Sequence, residues 1–119
     1  MVMCYTLLCV DENSGLPPDL LRGNIDTMIL KTLLDQDRYG YQIAKTIALE
    51  AGGQYDPKEA TLYSSLRRLE ARGRVEAYWG DESQGGRRKY YRLTAAGRAA
   101  QAAGRAQWEH AKSVLDKLL

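Results

Sequence analysis

From Asp19 onward, apolar residues recur along the chain at steps of three and four. Leu21, Ile25, Met28, Ile29 and Leu33 form one such series, and the spacing predicts a helix from about Leu20 to Leu34 with Asp19 capping its start. Asp35-Gln36-Asp37-Arg38 makes a polar turn, after which Ile43, Ala44, Ile47, Ala48 and Ala51 repeat the pattern in a second helix that Gly52-Gly53 ends. Asp56-Pro57 supplies a capping side chain and then a proline at a position where the missing N–H is harmless, so a third helix begins near Pro57. Within it Leu62, Leu66 and Leu69 make a buried stripe. Thr61, Ser64, Arg68 and Arg72 share a different face, with Ser65 and Arg67 beside it.

Gly73 closes the third helix and the period changes. Val75, Ala77 and Trp79 alternate with Glu76 and Tyr78 as a half-buried strand, the loop Gly80 to Arg88 follows, and a second strand covers about Lys89 to Leu93. Thr94 is placed to cap a last helix that runs to Leu119, although Gly97 three positions on leaves no capping box. The first half of that helix is rich in alanine, so its apolar surface comes from Trp108, Ala111, Val114, Leu115 and Leu118. A stripe of that kind on a helix projecting from a small domain stays half exposed in a monomer, and dimerisation is the economical way to cover it.

The order helix, helix, helix, hairpin, helix is a mainly α fold with a small β-hairpin (α+β): a winged helix-turn-helix with a long C-terminal dimerisation helix. Three regions follow, a leader at 1–18, a winged helix-turn-helix domain at 19–94 and the dimerisation helix at 95–119. The leader does not share the later periodicity, and Gly15-Leu16-Pro17-Pro18 marks the change. A mobile arm, an added strand and a cover over a partner subunit all fit it.

Charge sharpens this picture. The net charge of the 119 residues is only +2, but from Pro57 to Arg98 ten Lys/Arg stand against five Asp/Glu, with seven against ten elsewhere. A local cationic surface of this kind attracts a polyanion, and the acidic remainder argues against general stickiness. Cys4, Cys9 and the distant His110 do not have the number or spacing of a zinc site, so no metal and no cofactor are expected. Two cysteines so close together fit reduced thiols in a cytoplasmic protein, with a disulfide or redox sensor as the other reading. The apolar run Cys4 to Val10 lacks a basic leader, meets Asp11-Glu12-Asn13 at once and is far too short to span a bilayer, so neither an export signal nor a membrane anchor is expected. No nucleophile elbow or phosphate-binding glycine loop is present, and an enzyme is not expected.

The residues filling this frame resemble the PadR family of bacterial transcriptional regulators. Leu21-Arg22-Gly23, Tyr39-Gly40-Tyr41-Gln42-Ile43, Ala60-Thr61-Leu62-Tyr63, Leu66-Arg67-Arg68-Leu69-Glu70 with Gly73, and Gly86-Arg87-Arg88-Lys89-Tyr90-Tyr91-Arg92-Leu93-Thr94 carry the resemblance, over about Leu20 to Gly97. The single C-terminal helix is similar to that of the family's smaller subfamily. The run Tyr78-Trp79-Gly80 through Gly85-Gly86-Arg87-Arg88-Lys89 resembles its multidrug-responsive repressors. The resemblance implies a homodimer that represses transcription at an inverted-repeat operator and releases DNA when a small molecule binds between its long helices. It also implies that Trp108, fourteen residues after Thr94, stacks a planar aromatic effector. Gly104 and Lys112 on that helix, with Gln101, and Thr27, with Gly23 and Lys31 on the facing one, would line the pore and make it more polar and cationic than in those relatives. A plain packing role at the dimer seam is the other reading of Trp108.

In such a protein the N-terminal half of the third helix enters the major groove. Lys58, Thr61, Ser64 and Ser65 are the expected base readers, with Arg67 and Arg68 reaching a base or phosphate, or else forming an ordinary solvated face. Arg87, Arg88, Lys89 and Tyr63 are expected on phosphates, since each neutralised phosphate releases counterions. Against this stands a solvated hairpin in which Asp81 and Glu82 pair with the arginines. Tyr39, Tyr41 and Tyr90 read as core or hinge aromatics. The alternative to a DNA-binding regulator is a winged-helix protein-interaction module.

Overall fold

The computed structural model describes residues 16–80 and 86–119. Most of the leader, with Cys4 and Cys9, and the acidic pair Asp81 and Glu82 lie outside the described residues. The elements run α1 (Pro18–Arg22), α2 (Ile25–Thr32), β1 (Arg38–Tyr39), α3 (Gly40–Glu50), α4 (Glu59–Ala71), β2 (Val75–Trp79), β3 (Lys89–Leu93) and α5 (Ala95–Leu118).

The expected first helix is two helices. It breaks at Gly23-Asn24: the N–H of Asn24 reaches back only to the Leu21 carbonyl, and Asn24 adopts a non-helical ψ of 4° before α2 starts. Asp19 does not cap it either. The cap position is Pro17, and Asp19 sits in the first turn at 2.5 Å from Arg22. Similarly, α4 starts at Glu59 with Lys58 at its cap, two residues beyond the expected start. Pro57 is buried in the approach to the helix instead of occupying its first turn.

The remaining boundaries follow local chemistry. Gly73, at φ 72°, takes the left-handed conformation that ends α4. Its N–H donates to the Glu70 carbonyl and that of Arg74 to Leu69, the paired bonds that satisfy a helix C-terminus. Thr94 caps α5 as expected, its hydroxyl oxygen accepting from the Gly97 N–H at 3.0 Å. The same hydroxyl donates to the Gly73 carbonyl at 2.7 Å, so one side chain fastens the end of α4 to the start of α5.

The core is continuous across these elements. Ile25, Ile29, Leu30 and Leu33 of the α2 segment meet Ile43 and Ile47 of α3, the stripe Leu62, Leu66 and Leu69 of α4, and Val75 and Tyr91 of the sheet. The sheet has three antiparallel strands in the order β1-β3-β2, with Val75 opposite Leu93 and Trp79 opposite Lys89. Two-residue β1 pairs Arg38 with Tyr91 and Tyr39 with Tyr90, which ties the hairpin to the first residue of α3. Among the described residues no helix is long and apolar enough to cross a membrane, and no cluster of three or more His, Cys, Asp or Glu could hold a metal ion.

Candidate nucleic-acid interface and effector groove

Burying Leu62, Leu66 and Leu69 turns the opposite side of α4 outward. Its most exposed ridge carries Ala60, Ser64, Arg67 and Ala71. Ala60 was not expected on this surface; like Ser64 it is small, so the helix backbone can approach a groove floor closely. Thr61 and Lys58 are exposed on the flank toward α2, and a cleft of about 610 Å3 runs along that flank with Arg22 and Gln54 on its far side. Arg22 is a further cation of this cleft, paired with Asp19 and 36 positions before Lys58, so local periodicity gives no signal for it.

Two expected readers do not stand on the open surface. Ser65 is 1% exposed, beneath the helix among the core residues, so its hydroxyl cannot reach a base edge. That hydroxyl accepts a hydrogen bond from Arg68 at 3.0 Å. Arg68 is turned toward α2, where its Nε and Nη2 donate to the two carboxylate oxygens of Asp26 at 3.1 and 2.6 Å. This hydrogen bonding raises the pKa of the guanidinium further above its ordinary value, with burial opposing. Arg68 is therefore neither a free base reader nor part of a simply solvated face.

On the other flank of α4, Tyr63 lies over Gly40 so closely that a β-carbon at residue 40 would overlap the tyrosine ring. A depression of about 420 Å3 opens beside it, bordered by Tyr39, Tyr63, Arg67, Arg88 and Lys89. The wing cations are held by aromatic faces. The Arg87 guanidinium lies 5.4 Å from the Trp79 ring centre and that of Arg88 4.8 Å from the Tyr39 ring centre, cation–π contacts that help to place both groups. Lys89 stands 3.7 Å from Glu70 and Arg92 3.4 Å from Glu76. Arg87, Arg88 and Lys89 are all exposed.

Behind the wing the aromatic residues form a connected stack. Tyr90 stacks on Tyr78 at 5.7 Å and meets Tyr39 edge-on at 5.4 Å. The Tyr78 hydroxyl donates to Asp37 at 2.5 Å, and this bond is the main cause that raises the phenol's pKa above its ordinary value. Tyr39 and Tyr90 are thus half-buried packing aromatics. Tyr41 is not: it is exposed on α3, with the Lys45 ammonium 5.8 Å from its ring centre.

The far side of the domain carries a second feature. Gly104 of α5 abuts the Thr27 side chain of α2, leaving no space for a β-carbon. Beside this contact a groove of about 260 Å3 is bordered by Thr27, Met28, Lys31, Gln101, Gly104 and Trp108. Gly23 and Lys112 do not border it. Gly23 has open space where a β-carbon would stand, at the break between α1 and α2, and Lys112 is exposed a turn beyond Trp108 on α5. Lys31 is paired with Glu50 at 3.2 Å, which offsets much of the positive charge expected there. Trp108 is 42% exposed, and Val114, Leu115 and Leu118 continue its exposed apolar stripe toward the end of α5.

The family model described as "Transcriptional regulator PadR-like family" matches residues 29–103. A curated protein of Lysinibacillus sphaericus, called only "Uncharacterized protein X", is 43% identical over 98 residues, which are 82% of this chain and 90% of its own. Among solved structures, a transcriptional regulator from Clostridium thermocellum is 39% identical with a TM-score of 0.81, covering 87% of this chain and 98% of that one. A PadR family transcription regulator from Clostridium difficile is 35% identical with a TM-score of 0.69, covering 81% and 98%.

Proposed function

The chain belongs to the PadR-like family of transcriptional regulators, and we propose that it acts as a homodimeric repressor, released from an inverted-repeat operator by a small molecule bound at its long helices. One observation carries the DNA-binding part: Arg67 of the exposed α4 ridge and the wing cations Arg88 and Lys89 border a single depression, and Arg87, over Trp79, adds a further exposed cation to the wing. A helix whose outer ridge is Ala60 and Ser64 fits a major groove closely. Lys58, Thr61 and Ser64 then read base edges from its N-terminal half. Arg67, Arg87, Arg88, Lys89 and the Tyr63 hydroxyl meet phosphates on either side, and the cations supply affinity by releasing counterions.

The dimer rests on the apolar stripe of α5. Trp108, Val114, Leu115 and Leu118 gain a dry environment only against a second surface, and a two-fold axis through α5 presents two recognition helices to successive major grooves. Half-sites are then about 10 base pairs apart, or a multiple of that. An effector in the groove beside Trp108 acts by preferring a dimer whose recognition helices are wrongly spaced. With Lys31 paired to Glu50, a flat aromatic ligand meets a less cationic wall than the residue types alone imply.

The test is fluorescence anisotropy of the purified protein on the duplex upstream of its own reading frame against a scrambled duplex, at physiological salt where nonspecific binding is weak. Tight and selective binding is expected. Equal, weak binding to both would favour the winged-helix protein-interaction module instead.

A further inference from the structure

The recognition helix is attached to the rest of the protein in two physically different ways. Leu62, Leu66 and Leu69 seat it on the core, and apolar attraction of that kind is non-directional, while at its far end the Thr94 hydroxyl holds the Gly73 carbonyl. The two-point grip of Asp26 on Arg68 is directional. Both carboxylate oxygens are engaged, by Nε at 3.1 Å and Nη2 at 2.6 Å, and Nη2 also donates to Ser65 one turn back on the same helix. A fork–carboxylate pair of this geometry fixes relative orientation as well as adding energy.

The same geometry removes Arg68 from direct recognition. Reading guanine or clamping a phosphate in bidentate fashion needs two adjacent guanidinium N–H groups. The Nε–Nη2 edge is taken by Asp26, and the Nη1–Nη2 edge has lost Nη2 to Asp26 and Ser65. Ser64, by contrast, stands on the exposed ridge next to buried Ser65, so a small rotation of α4 moves it directly.

We propose that Asp26 is a positioning residue for DNA recognition: through Arg68 it fixes the rotation and axial register of α4, and so the place at which Lys58, Thr61 and Ser64 meet base edges. The inference rests on the DNA-binding reading above. It also gives α2 a double attachment, because Thr27, the next residue, is the one that abuts Gly104 of α5 beside the groove. A displacement of α2 at that groove reaches the recognition helix through the adjoining carboxylate.

The charge of Asp26 makes the test decisive in sign. Removing an anion from a DNA-facing protein should by electrostatics alone strengthen binding to any duplex. Positioning demands the reverse for the operator. Operator and scrambled duplexes are taken from the sequences that the wild-type protein enriches from a randomised pool, and affinity is titrated against salt for Asp26→Ala, Asp26→Asn, Arg68→Lys, Arg68→Met and the Asp26→Ala/Arg68→Met double variant, with circular dichroism reporting on folding. The Asp26 variants are expected to lose about tenfold in operator affinity while scrambled-duplex affinity holds or rises, Arg68→Met to lose about tenfold on the operator and much less on the scrambled duplex, and the double variant to be no worse on the operator than either single one. Arg68→Lys should behave like Arg68→Met, since it keeps the cation but not the fork. Asp26→Asn, which preserves volume, serves where alanine unfolds the chain. Operator affinity that is unchanged or raised in folded Asp26 variants overturns the proposal. So does a parallel loss on both duplexes with the salt slope of Arg68→Met reduced by about 0.9, the mark of a lost phosphate contact. A wild-type protein that enriches no sequence overturns the DNA-binding reading itself, a result separate from either.

Discussion

The backbone carbonyl of Arg74 occupies the position that a β-carbon on residue 97 would need, and Gly97 leaves it room at the start of α5. That carbonyl also accepts from the Thr94 N–H at 3.2 Å, so it is fixed from the other side and cannot retreat cheaply. Gly97→Ala should therefore open the joint between the hairpin and α5 and destabilise the fold by about 2 kcal/mol, as read by urea denaturation. Gly40→Ala is the control: the atoms it meets are the outer end of the Tyr63 ring, which can swing aside at smaller cost.

Changing Arg87, Arg88 and Lys89 together to alanine should weaken binding to operator and scrambled duplexes alike. The dependence of log affinity on log salt should become shallower by about two to three, since each lost phosphate contact removes about 0.9. Unchanged affinity would remove the wing from the interface.

Much of this molecule is written in short-range pattern. The stripe Leu62, Leu66 and Leu69, both wing strands and the Thr94 cap are where spacing and residue type put them, because each depends on neighbours a few positions away. Ser65 and Arg68 depart from the pattern through dependence on a distant partner. Both read as surface residues by helical spacing, yet Arg68 is drawn inward by Asp26, 42 positions earlier. A two-residue strand such as β1 has no period to detect. The absent side chain at Gly97, which weakened the expected capping box, is explained only by the Arg74 carbonyl opposite.

Trp108→Ala should weaken binding of flat aromatic ligands by about tenfold, the loss expected when a stacked ring is removed. The absorbance of the ligand is the better readout, since Trp79 continues to fluoresce. Unaltered binding would leave Trp108 as a packing residue of the α5 stripe.

Alkaline pH should erode stability through three tyrosines. The Tyr78 phenol is raised by its bond to Asp37, and those of Tyr55 and Tyr91 are raised chiefly by burial. Their folded values lie above the unfolded value of about 10, so the folded chain holds protons that the unfolded chain releases. Stability is then flat below about pH 10 with respect to these groups and falls as pH rises through the folded values. Tyr78→Phe should lose about 1 kcal/mol near neutrality and show a shallower alkaline decline in thermal melts.

Thr94 closes the base of the hairpin by bonding to Gly73 and Arg74, next to the Val75–Leu93 pair, so the two strands are clasped at the end opposite the Trp79–Lys89 pair. Lengthening the loop that joins the strands costs chain-closure entropy of about 0.6 kcal/mol for each doubling and leaves the clasp in place. Under the DNA-binding reading proposed above, substitutions beyond the Trp79–Lys89 pair change phosphate contacts without touching this clasp.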